Sequence, residues 1–151
     1  MPVYKTPKSI IAPSGCCGGC GHGIIQRLIA ESIEELGLQD QVIACVDIAC
    51  SEWSLDCLDY DHIAGPHGRI ASVATGIKKV RPDKTVYALA GDGSSYVIGW
   101  TETTYAAVRD IPITMIVVNN GIFGMTGGQM NLATTLIGDK TVSSKAGRRR
   151  E

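Results

Sequence analysis

Two short polar motifs, each placed after an apolar run, constrain the fold of this chain more than any other feature of its sequence. GDG at residues 91–93 closes the run 85–90, and NN at residues 119–120 closes the run 113–118. The 25 residues between the motifs hold the second run and a helix-compatible segment over 97–109. This spacing predicts a strand, a crossover helix and a second strand, because parallel neighbours need a connection of about a dozen residues or more.

Both motifs are therefore expected at the carboxyl edge of a parallel sheet, where ligands bind in open α/β folds. Asp92 offers carboxylate oxygens and Asn120 an amide oxygen. Mg²⁺ takes such oxygens at about 2.0–2.1 Å and usually shares them with phosphates. The glycines beside Asp92 let the backbone approach a diphosphate closely. GDG alone is also typical of an ordinary turn, but the two motifs together predict a cradle for Mg²⁺ and a diphosphate.

The rest of the chain alternates helix and strand patterns. Helices are predicted over 22–36 and 68–80, a buried strand over 42–47, and a loop or short helix over 52–65. Such alternation with right-handed crossovers predicts an α/β fold, a three-layer sandwich around a mainly parallel sheet.

The first helix is expected to bury one stripe and to expose Gln26. The predicted stripe consists of Ile24, Ile25, Leu28, Ile29, Ile33 and Leu36. The residues expected to pack within 52–65 are Trp53, Cys57, Tyr60 and His62.

One domain boundary follows from periodicity. Residues 1–15 contain three prolines and no periodic pattern, so they are predicted to form an N-terminal arm, either extended, disordered or lying on a partner subunit. Residues 16–151 are predicted to form one domain. Little apolar periodicity remains beyond residue 130 and only three strands are clear, which would leave a sheet edge open. We expect this domain to be incomplete at its C-terminus or to need another chain.

Composition narrows the classes of function. A formal net charge of -1, with 44% hydrophobic and 19% charged residues, is that of an ordinary globular protein and predicts no nucleic-acid binding. The basic cluster 148–150 is predicted to be a solvated tail. No apolar run approaches the ~18 residues of a membrane span, and no signal-peptide core is present, which predicts a cytoplasmic protein without membrane contact. Six cysteines in that compartment favour metal or redox chemistry over disulfides.

At this point the motifs resemble a known family. The segments CGGCGHG, DIACS, HGR, ATGIK, GDG, IG and NNGIFGMTGGQ have the order and spacing that resemble the thiamin-diphosphate-binding beta subunit of 2-oxoacid:ferredoxin oxidoreductases. The resemblance extends from Cys17 to Gly147. It implies a thiamin diphosphate-binding domain of the PP type. It also implies oxidative decarboxylation of a 2-oxoacid to acyl-CoA, with electrons passing through iron–sulfur clusters to ferredoxin.

The resemblance implies a role for each matching residue. Mg²⁺ would be held by Asp92, Asn120 and the main-chain oxygen of Ile122. A [4Fe-4S] cluster would be held by Cys17, Cys20 and Cys50. The residues implied in cofactor binding are Cys50, Ser51, His67, Gly68, Arg69, Gly91, Asp92, Gly93, Asn120, Ile122, Gly124, Met125 and Thr126.

Three features depart from the family pattern. Ser94 stands where the family usually has an acidic residue, and Cys16 stands where it usually has an aromatic one. The fourth cluster cysteine, which family chains supply further along, is absent. Because a cubane cluster needs four thiolates, zinc and simple packing stay open as alternatives for the cysteine turn. His22 slightly favours zinc, but we expect it to begin the helix and point to the cofactor crevice.

The cofactor needs more than this chain offers. An apolar prop must fold its two rings together, and Ile48 is the candidate. A carboxylic acid must meet its pyrimidine, and in this family class that acid comes from a separate pyrimidine-binding domain. We therefore expect a partner subunit carrying that domain, besides ferredoxin, coenzyme A and the 2-oxoacid. The isolated chain is expected to bind Mg²⁺-thiamin diphosphate weakly and not to turn over.

Two other functions fit the same motifs. A non-oxidative thiamin diphosphate-dependent 2-oxoacid decarboxylase subunit would share GDG and NN without needing clustered cysteines. A truncated, non-catalytic domain of the same fold would serve only in assembly. Iron content separates the first from the oxidoreductase, and cofactor binding separates the second.

Overall fold

The computed structural model describes residues 5–149. Its main helices and strands alternate along the chain. In order they are α1 (Gly21–Glu35), β1 (Val42–Asp47), β2 (Asp61–Gly65), α2 (Ile70–Val80), β3 (Thr85–Gly91), α3 (Trp100–Val108), β4 (Thr114–Val118), β5 (Ile122–Phe123) and β6 (Gln129–Met130). A 3₁₀ helix (Cys50–Ser54) follows β1, and a π-helix (Ser94–Ile98) precedes α3.

Four strands form a parallel sheet in the order β2-β1-β3-β4. In this sheet Val46 pairs with Leu89, and Leu89 pairs with Ile116. The two short strands β5 and β6 pair antiparallel beyond the sheet. The predicted parallel crossover between β3 and β4 is confirmed, because α3 and the π-helix connect them.

Side chains alternate between two cores, one on each face of the sheet. Val42, Ala44 and Val46 pack with Ile29 and Ile33 of α1. On the other face, Cys45 of β1 and alternate residues of β3 pack against α2, and α3 lies beside α2. Helices therefore cover both faces, as parallel sheets require. The prediction of a three-layer α/β fold is confirmed.

The prediction of a loop or short helix over 52–65 is wrong for β2. This strand lies at the sheet edge, and four of its five residues are exposed, so it shows no apolar run. Within the same segment Cys57 and Tyr60 are buried as expected. Trp53 is 42% exposed and His62 is also exposed, so these two side chains are not packed in the core as was expected.

The predicted buried stripe of α1 is only partly correct. Gln26 is buried at 2% exposure, whereas Ile24 and Leu28 are exposed. Gln26 Oε1 accepts a hydrogen bond from Ser14 Oγ at 2.6 Å, and its Nε2 lies 3.8 Å from Cys16 Sγ. Because the Gln26 amide has these polar partners, its burial costs little free energy. The side of α1 that carries Gln26 therefore faces the cysteines.

Gly37 ends α1 as expected. Its φ of 66° is left-handed, its amide donates to Glu34 O at 3.1 Å, and the Leu38 amide donates to Ile33 O at 3.0 Å. This pair of bonds is the Schellman arrangement, which satisfies the last carbonyl groups of a helix.

The part of the N-terminal arm that the structure describes packs on its own domain. The Ile11 amide donates to Cys57 O at 3.0 Å, and Ser9 Oγ lies 2.5 Å from the Tyr60 hydroxyl. The start of the arm, residues 1–4, and Arg150 of the basic cluster lie outside the described residues. The domain boundaries at residues 15 and 16 stay predictions. Among residues 5–149, no helix combines the length and apolar character needed to cross a membrane.

Candidate functional site

A cavity of about 150 Å³ lies at the carboxyl ends of all four parallel strands. Cys50 follows β1, His67 follows β2, Asp92 follows β3 and Asn120 follows β4, and all four line the cavity. His22, in the first turn of α1, also lines it. The other lining residues are Ala49, Gly91, Gly93, Ser94, Ile98, Ile122, Phe123, Gly124, Met125 and Thr126.

Asp92 is the most constrained of these residues. Its side chain is 1% exposed, and its Oδ2 accepts hydrogen bonds from the Gly121 amide at 3.0 Å and from the Thr134 hydroxyl. Its Oδ1 is buried and has no hydrogen-bond partner. A buried carboxylate oxygen left without a partner is costly, so this atom is suited to a cation.

Asn120 and Ile122 lie on the turn that follows β4. The Asn120 Oδ1 accepts a hydrogen bond from the Ile122 amide at 3.1 Å. Between them Gly121 has a φ of 74°, and its amide is the donor to Asp92. The residue that follows the NN motif is thus hydrogen-bonded directly to the aspartate of the GDG motif.

The glycines on either side of Asp92 differ in how their backbone is covered. A Cβ at Gly93 would lie 2.3 Å from Phe123 Cε1, so the phenylalanine ring covers this backbone. A Cβ at Gly91 would meet no atom within 4 Å, so the backbone there is open. Beyond Phe123, a Cβ at Gly124 would approach Cys50 Sγ at 3.4 Å. Gly124, Met125 and Thr126 together form one wall of the cavity.

The loop after β2 lies against the start of the π-helix. The Gly68 amide donates to Ser94 Oγ at 2.6 Å. Gly68 has a φ of 72°, and a Cβ there would lie 2.6 Å from the Gly99 nitrogen, so only glycine fits. His67 faces the cavity, but Arg69 forms an ion pair with Glu102 and does not line it.

The cysteines gather near Cys50 without forming a ligand set. Cys16 Sγ donates to Cys50 O at 3.6 Å, and Cys20 Sγ lies 3.3 Å from His22 Nδ1. Burial raises the pKa of Cys50, and the neighbouring thiols of Cys16, Cys20 and Cys17 raise it further. Within residues 5–149 no three His, Cys, Asp or Glu side chains are grouped as a metal site. The iron–sulfur ligands stay a prediction.

Three further residues differ in their exposure and in their position relative to the cavity. Ile48 is 36% exposed and does not line the cavity, so its role as a prop stays a prediction. Ser51 is fully buried beside the cavity wall, and its hydroxyl has no partner. His22 is 5% exposed, and burial lowers its pKa, which favours the neutral imidazole.

Sequence reasoning missed the contact that Thr134 makes with Asp92 and the cover that Phe123 provides. Thr134 lies in a segment without periodicity, where nothing in the sequence indicates that it returns to the cavity. Phe123 is the chain's single phenylalanine and stands directly between two predicted cofactor residues, which was a usable signal.

Residues 47–150 match the family model described as thiamine pyrophosphate enzyme, C-terminal TPP binding domain. The chain belongs to this family. The matched range contains both polar motifs, the ends of all four sheet strands, and every cavity-lining residue except His22.

Individual relatives of this TPP-binding domain are named as subunits of an oxidoreductase or of a synthase. Ketoisovalerate oxidoreductase subunit VorA of Methanothermobacter thermautotrophicus is 40% identical over 132 residues, which are 87% of this chain and 28% of the relative. The 2-oxoglutarate synthase subunit KorB of Methanocaldococcus jannaschii is 38% identical over 147 residues, 97% of this chain and 54% of the relative. The chain thus spans about half of KorB and a smaller part of VorA.

A solved structure is also similar to this TPP-binding domain. It is a 2-oxoglutarate:ferredoxin oxidoreductase from Magnetococcus marinus with 2-oxoglutarate, coenzyme A and succinyl-CoA bound. The TM-score is 0.88 at 29% identity, over 97% of this chain and 51% of the other. These relatives confirm the resemblance to 2-oxoacid:ferredoxin oxidoreductases that the motifs indicated.

The donors of the TPP-binding domain fit Mg²⁺. Asp92 supplies one buried carboxylate oxygen without a partner, and Asn120 and Ile122 line the same cavity. Oxygen donors of this kind suit a hard cation that also binds phosphate. The open backbone at Gly91 leaves room for a diphosphate.

Proposed function

We propose that the chain binds Mg²⁺-thiamin diphosphate in this cavity as the beta-type subunit of a 2-oxoacid:ferredoxin oxidoreductase. The observation that carries the proposal is the Asp92 Oδ1, which is buried, without a partner, and placed in a cavity that Asn120 and Ile122 also line. The names of the relatives favour an oxidoreductase over a non-oxidative decarboxylase or a non-catalytic domain.

In this proposal the residues on the different walls of the cavity have different roles. Asp92, Asn120 and the main-chain oxygen of Ile122 hold Mg²⁺, and the loops at 67–68 and 124–126 enclose the diphosphate. Ile98 and Phe123 are apolar lining residues that limit the access of water, which strengthens the interaction between the metal and its ligands. When bound, thiamin diphosphate supplies the carbanion stabilisation that decarboxylation of a 2-oxoacid needs.

The oxidative part of the reaction needs an electron path. In the proposal Cys17, Cys20 and Cys50 would hold an iron–sulfur cluster, which would supply the electron path to ferredoxin, and coenzyme A would accept the acyl group. The support is that Cys50 lies both at the cavity wall and among the neighbouring thiols. A cluster at this place would lie beside the cofactor, where a short electron path begins.

The cavity alone does not supply the acid that the pyrimidine of the cofactor needs. Asp92 is engaged by Gly121 and Thr134, and the other acidic groups within residues 5–149 lie away from the lining. We therefore propose a partner subunit that carries a pyrimidine-binding domain. The relatives are themselves named as subunits, which supports a hetero-oligomer. Because the two relatives are named for different 2-oxoacids, the substrate is proposed only as a class.

A cytoplasmic location belongs to the same proposal. All six cysteines are free thiols in the structure. Free thiols and thiolate-bound clusters persist in reducing compartments, where disulfides are rare.

The test is a calorimetric titration of thiamin diphosphate into the anaerobically purified chain, with and without Mg²⁺. We expect heat only when Mg²⁺ is present, together with iron and acid-labile sulfide in the protein. Absence of binding in both titrations refutes the proposal and favours the non-catalytic domain. Binding without iron or sulfide favours the non-oxidative decarboxylase. Steady-state oxidation of a 2-oxoacid by the pure chain would contradict the need for a partner.

A further inference from the structure

Asn131 is a fully buried polar residue whose hydrogen bonds lead to Asp92. It follows the short strand β6 and is 0% exposed. Its main-chain amide donates to Gly121 O at 2.8 Å, and its main-chain oxygen accepts a hydrogen bond from the Thr135 hydroxyl at 2.6 Å. Such partners compensate a buried polar group for the loss of water, so these bonds fix the main chain at Asn131 in place.

The side chain of Asn131 orients Thr134. Asn131 Oδ1 accepts a hydrogen bond from the Ala133 amide at 3.0 Å, and its Nδ2 donates to Thr134 Oγ1 at 3.1 Å. A hydroxyl group carries one proton and can also accept hydrogen bonds. Because Thr134 Oγ1 accepts from Asn131, its own proton is available for Asp92, and the hydroxyl donates to Asp92 Oδ2. Thr134 thus links Asn131 to the carboxylate.

Both hydrogen-bond donors to Asp92 Oδ2 are connected to Asn131. The Gly121 amide donates to this oxygen at 3.0 Å, and the Gly121 carbonyl accepts the Asn131 amide. Asn131 therefore contacts one donor residue through its main chain and the other, Thr134, through its side chain. Asp92 Oδ1 is buried and has no partner. Two hydrogen bonds to one oxygen fix the orientation of the carboxylate, and the other oxygen is left for a cation.

We propose that Asn131 and Thr134 are positioning residues: they hold Asp92 by its Oδ2 and so leave Oδ1 free for Mg²⁺. Neither residue lines the cavity, and both act through Asp92. A carboxylate that is oriented before the ion arrives loses less conformational freedom on binding, and partners that orient a ligand typically change metal affinity by about 10–100-fold. The inference rests on the proposed function, because it assumes that the cavity takes Mg²⁺ with a diphosphate.

The Thr134 hydroxyl is tested by calorimetric titration of thiamin diphosphate with Mg²⁺ into the full chain. Thr134→Val keeps the shape of the side chain and removes the O–H donor, so we expect the affinity to fall about tenfold. Thr134→Ser keeps the donor and should stay within a factor of about two of the wild type. Equal affinity of Thr134→Val and the wild type, or an equal loss in Thr134→Ser, overturns the proposal.

A threonine away from the cavity provides the matched control. Thr75 lies in α2, and its hydroxyl donates to Ala71 O at 2.7 Å. Thr75→Val therefore makes the same substitution and also removes a hydrogen bond, but it is expected to bind the cofactor as the wild type does. A loss in Thr75→Val equal to that in Thr134→Val would reflect a general loss of stability and overturns the proposal.

Hydrogen exchange of the Gly121 amide, followed by NMR, tests the link without a cofactor. If Thr134 helps to hold Asp92 Oδ2, the Gly121 amide should exchange about tenfold faster in Thr134→Val. Ala88, in the middle of β3, reports on the stability of the sheet and should be unchanged. Unchanged exchange at Gly121, or an equal increase at Ala88, overturns the proposal.

A variant of Asn131 tests whether this residue acts through Thr134. In Asn131→Ser the hydroxyl can still accept the Ala133 amide, but it is too short to reach Thr134. We expect the cofactor affinity to fall about tenfold, and Thr134→Val added to this variant to cause no further loss. Unchanged affinity in Asn131→Ser, or a loss of about 100-fold in the double variant, overturns the role of Asn131. If Asn131→Ser does not fold, the two Thr134 variants decide the proposal.

The same measurements separate this inference from the proposed function. Binding by the wild type that is equally strong in Thr134→Val overturns the positioning role and leaves the proposed function intact. If the wild type does not bind thiamin diphosphate with Mg²⁺, the proposed function fails, and the exchange of the Gly121 amide decides whether Thr134 holds Asp92.

Discussion

The metal edge, formed by Asp92, Asn120 and Ile122, and the cysteine turn, residues 16–20, offer two kinds of ligand in one molecule. Asp92 directly follows a central strand, is 1% exposed, and is held by the Gly121 amide. The cysteine turn belongs to no helix or strand, and Cys17 is exposed. One set of donors is fixed by the sheet, whereas the other is carried on a loop.

The difference lies in what orders each ligand before the ion or cluster binds. The hydrogen bond from Gly121 to Asp92 joins the ends of β3 and β4, which the sheet register already aligns. In the cysteine turn the main-chain hydrogen bond from Cys20 N to Cys17 O, at 2.9 Å, shapes the loop but does not orient any of the thiols. We infer that the metal edge is formed in advance, and that the proposed cluster would itself order the cysteine turn on binding.

The largest effect is expected for iron. Cys17→Ser or Cys50→Ser should remove nearly all iron and sulfide from anaerobically prepared protein, because each removes one of few thiolate ligands. The affinity for Mg²⁺-thiamin diphosphate should stay within a factor of about two of the wild type if the two sites are formed independently. Metal analysis and calorimetry on the same samples measure both.

A buried thiol provides the control for this experiment. Cys45 lies in the middle of β1 at 0% exposure, so Cys45→Ala is expected to keep its iron. Zinc without sulfide in the wild type would contradict the cluster and support the zinc alternative. A loss of cofactor affinity in the cysteine variants would break the proposed independence of the two sites.

The next effect concerns the metal edge. Asp92→Asn removes the charge of the carboxylate while keeping its shape, and we expect the affinity for thiamin diphosphate with Mg²⁺ to fall about 100-fold. Iron content should not change. Asp83→Asn, an exposed partner of Arg81, is the control. Unfolding in urea should show Asp92→Asn at least as stable as the wild type, because Asp92 Oδ1 is buried without a partner.

The backbone packing between the loop after β2 and the end of the π-helix can be broken separately. In Gly99→Ala the new Cβ would lie 2.1 Å from Gly68 O, a main-chain atom that has little room to move. We expect a loss of about 2–3 kcal/mol in the free energy of unfolding, measured in urea. Gly76→Ala is the matched control. Gly76 lies within α2 with no atom near a new Cβ, so alanine should add about 0.5–1 kcal/mol. Equal stability of the two variants would contradict the model of the loop.

The sequence predicted three of the four sheet strands well for a physical reason. β1 was expected over 42–47 and is found there, and β3 and β4 differ from the expected ranges by one residue. β1 and β3 are the central strands, and parallel strands that are buried on both faces appear in a sequence as continuous apolar runs. β4 is an edge strand but is still partly buried and apolar, whereas the edge strand β2 is exposed at four of its five residues and has no apolar run.

The candidate site was predictable where strand ends supply it. Asp92 and Asn120 could be placed because each follows a buried strand, and parallel strands bring their ends together. Asp47 also ends a strand, but a single acidic residue after an apolar run does not reveal that its carboxylate is fully buried without a hydrogen-bond partner. Thr134 reaches Asp92 from 42 residues away through a segment without regular structure, which no local pattern encodes.

The smallest predicted effect is a pH dependence of stability that distinguishes Cys45 from the cysteines of the turn. Burial raises the pKa of the Cys45 thiol from its ordinary 9.0 to about 11, so the folded state keeps this proton at a pH where the unfolded chain releases it. The thiol therefore stabilises the fold fully below pH 9.0, and this contribution of about 2 kcal/mol is lost as the pH rises through about 11. Urea unfolding between about pH 8 and about pH 11 should show the wild type losing more free energy than Cys45→Ala. Burial also raises the pKa of Tyr87 and Cys57, which both proteins share, so only the difference between them reports on Cys45. Equal losses would mean that this thiol is as accessible as those of the loop, and the contrast between sheet-borne and loop-borne cysteines would fail.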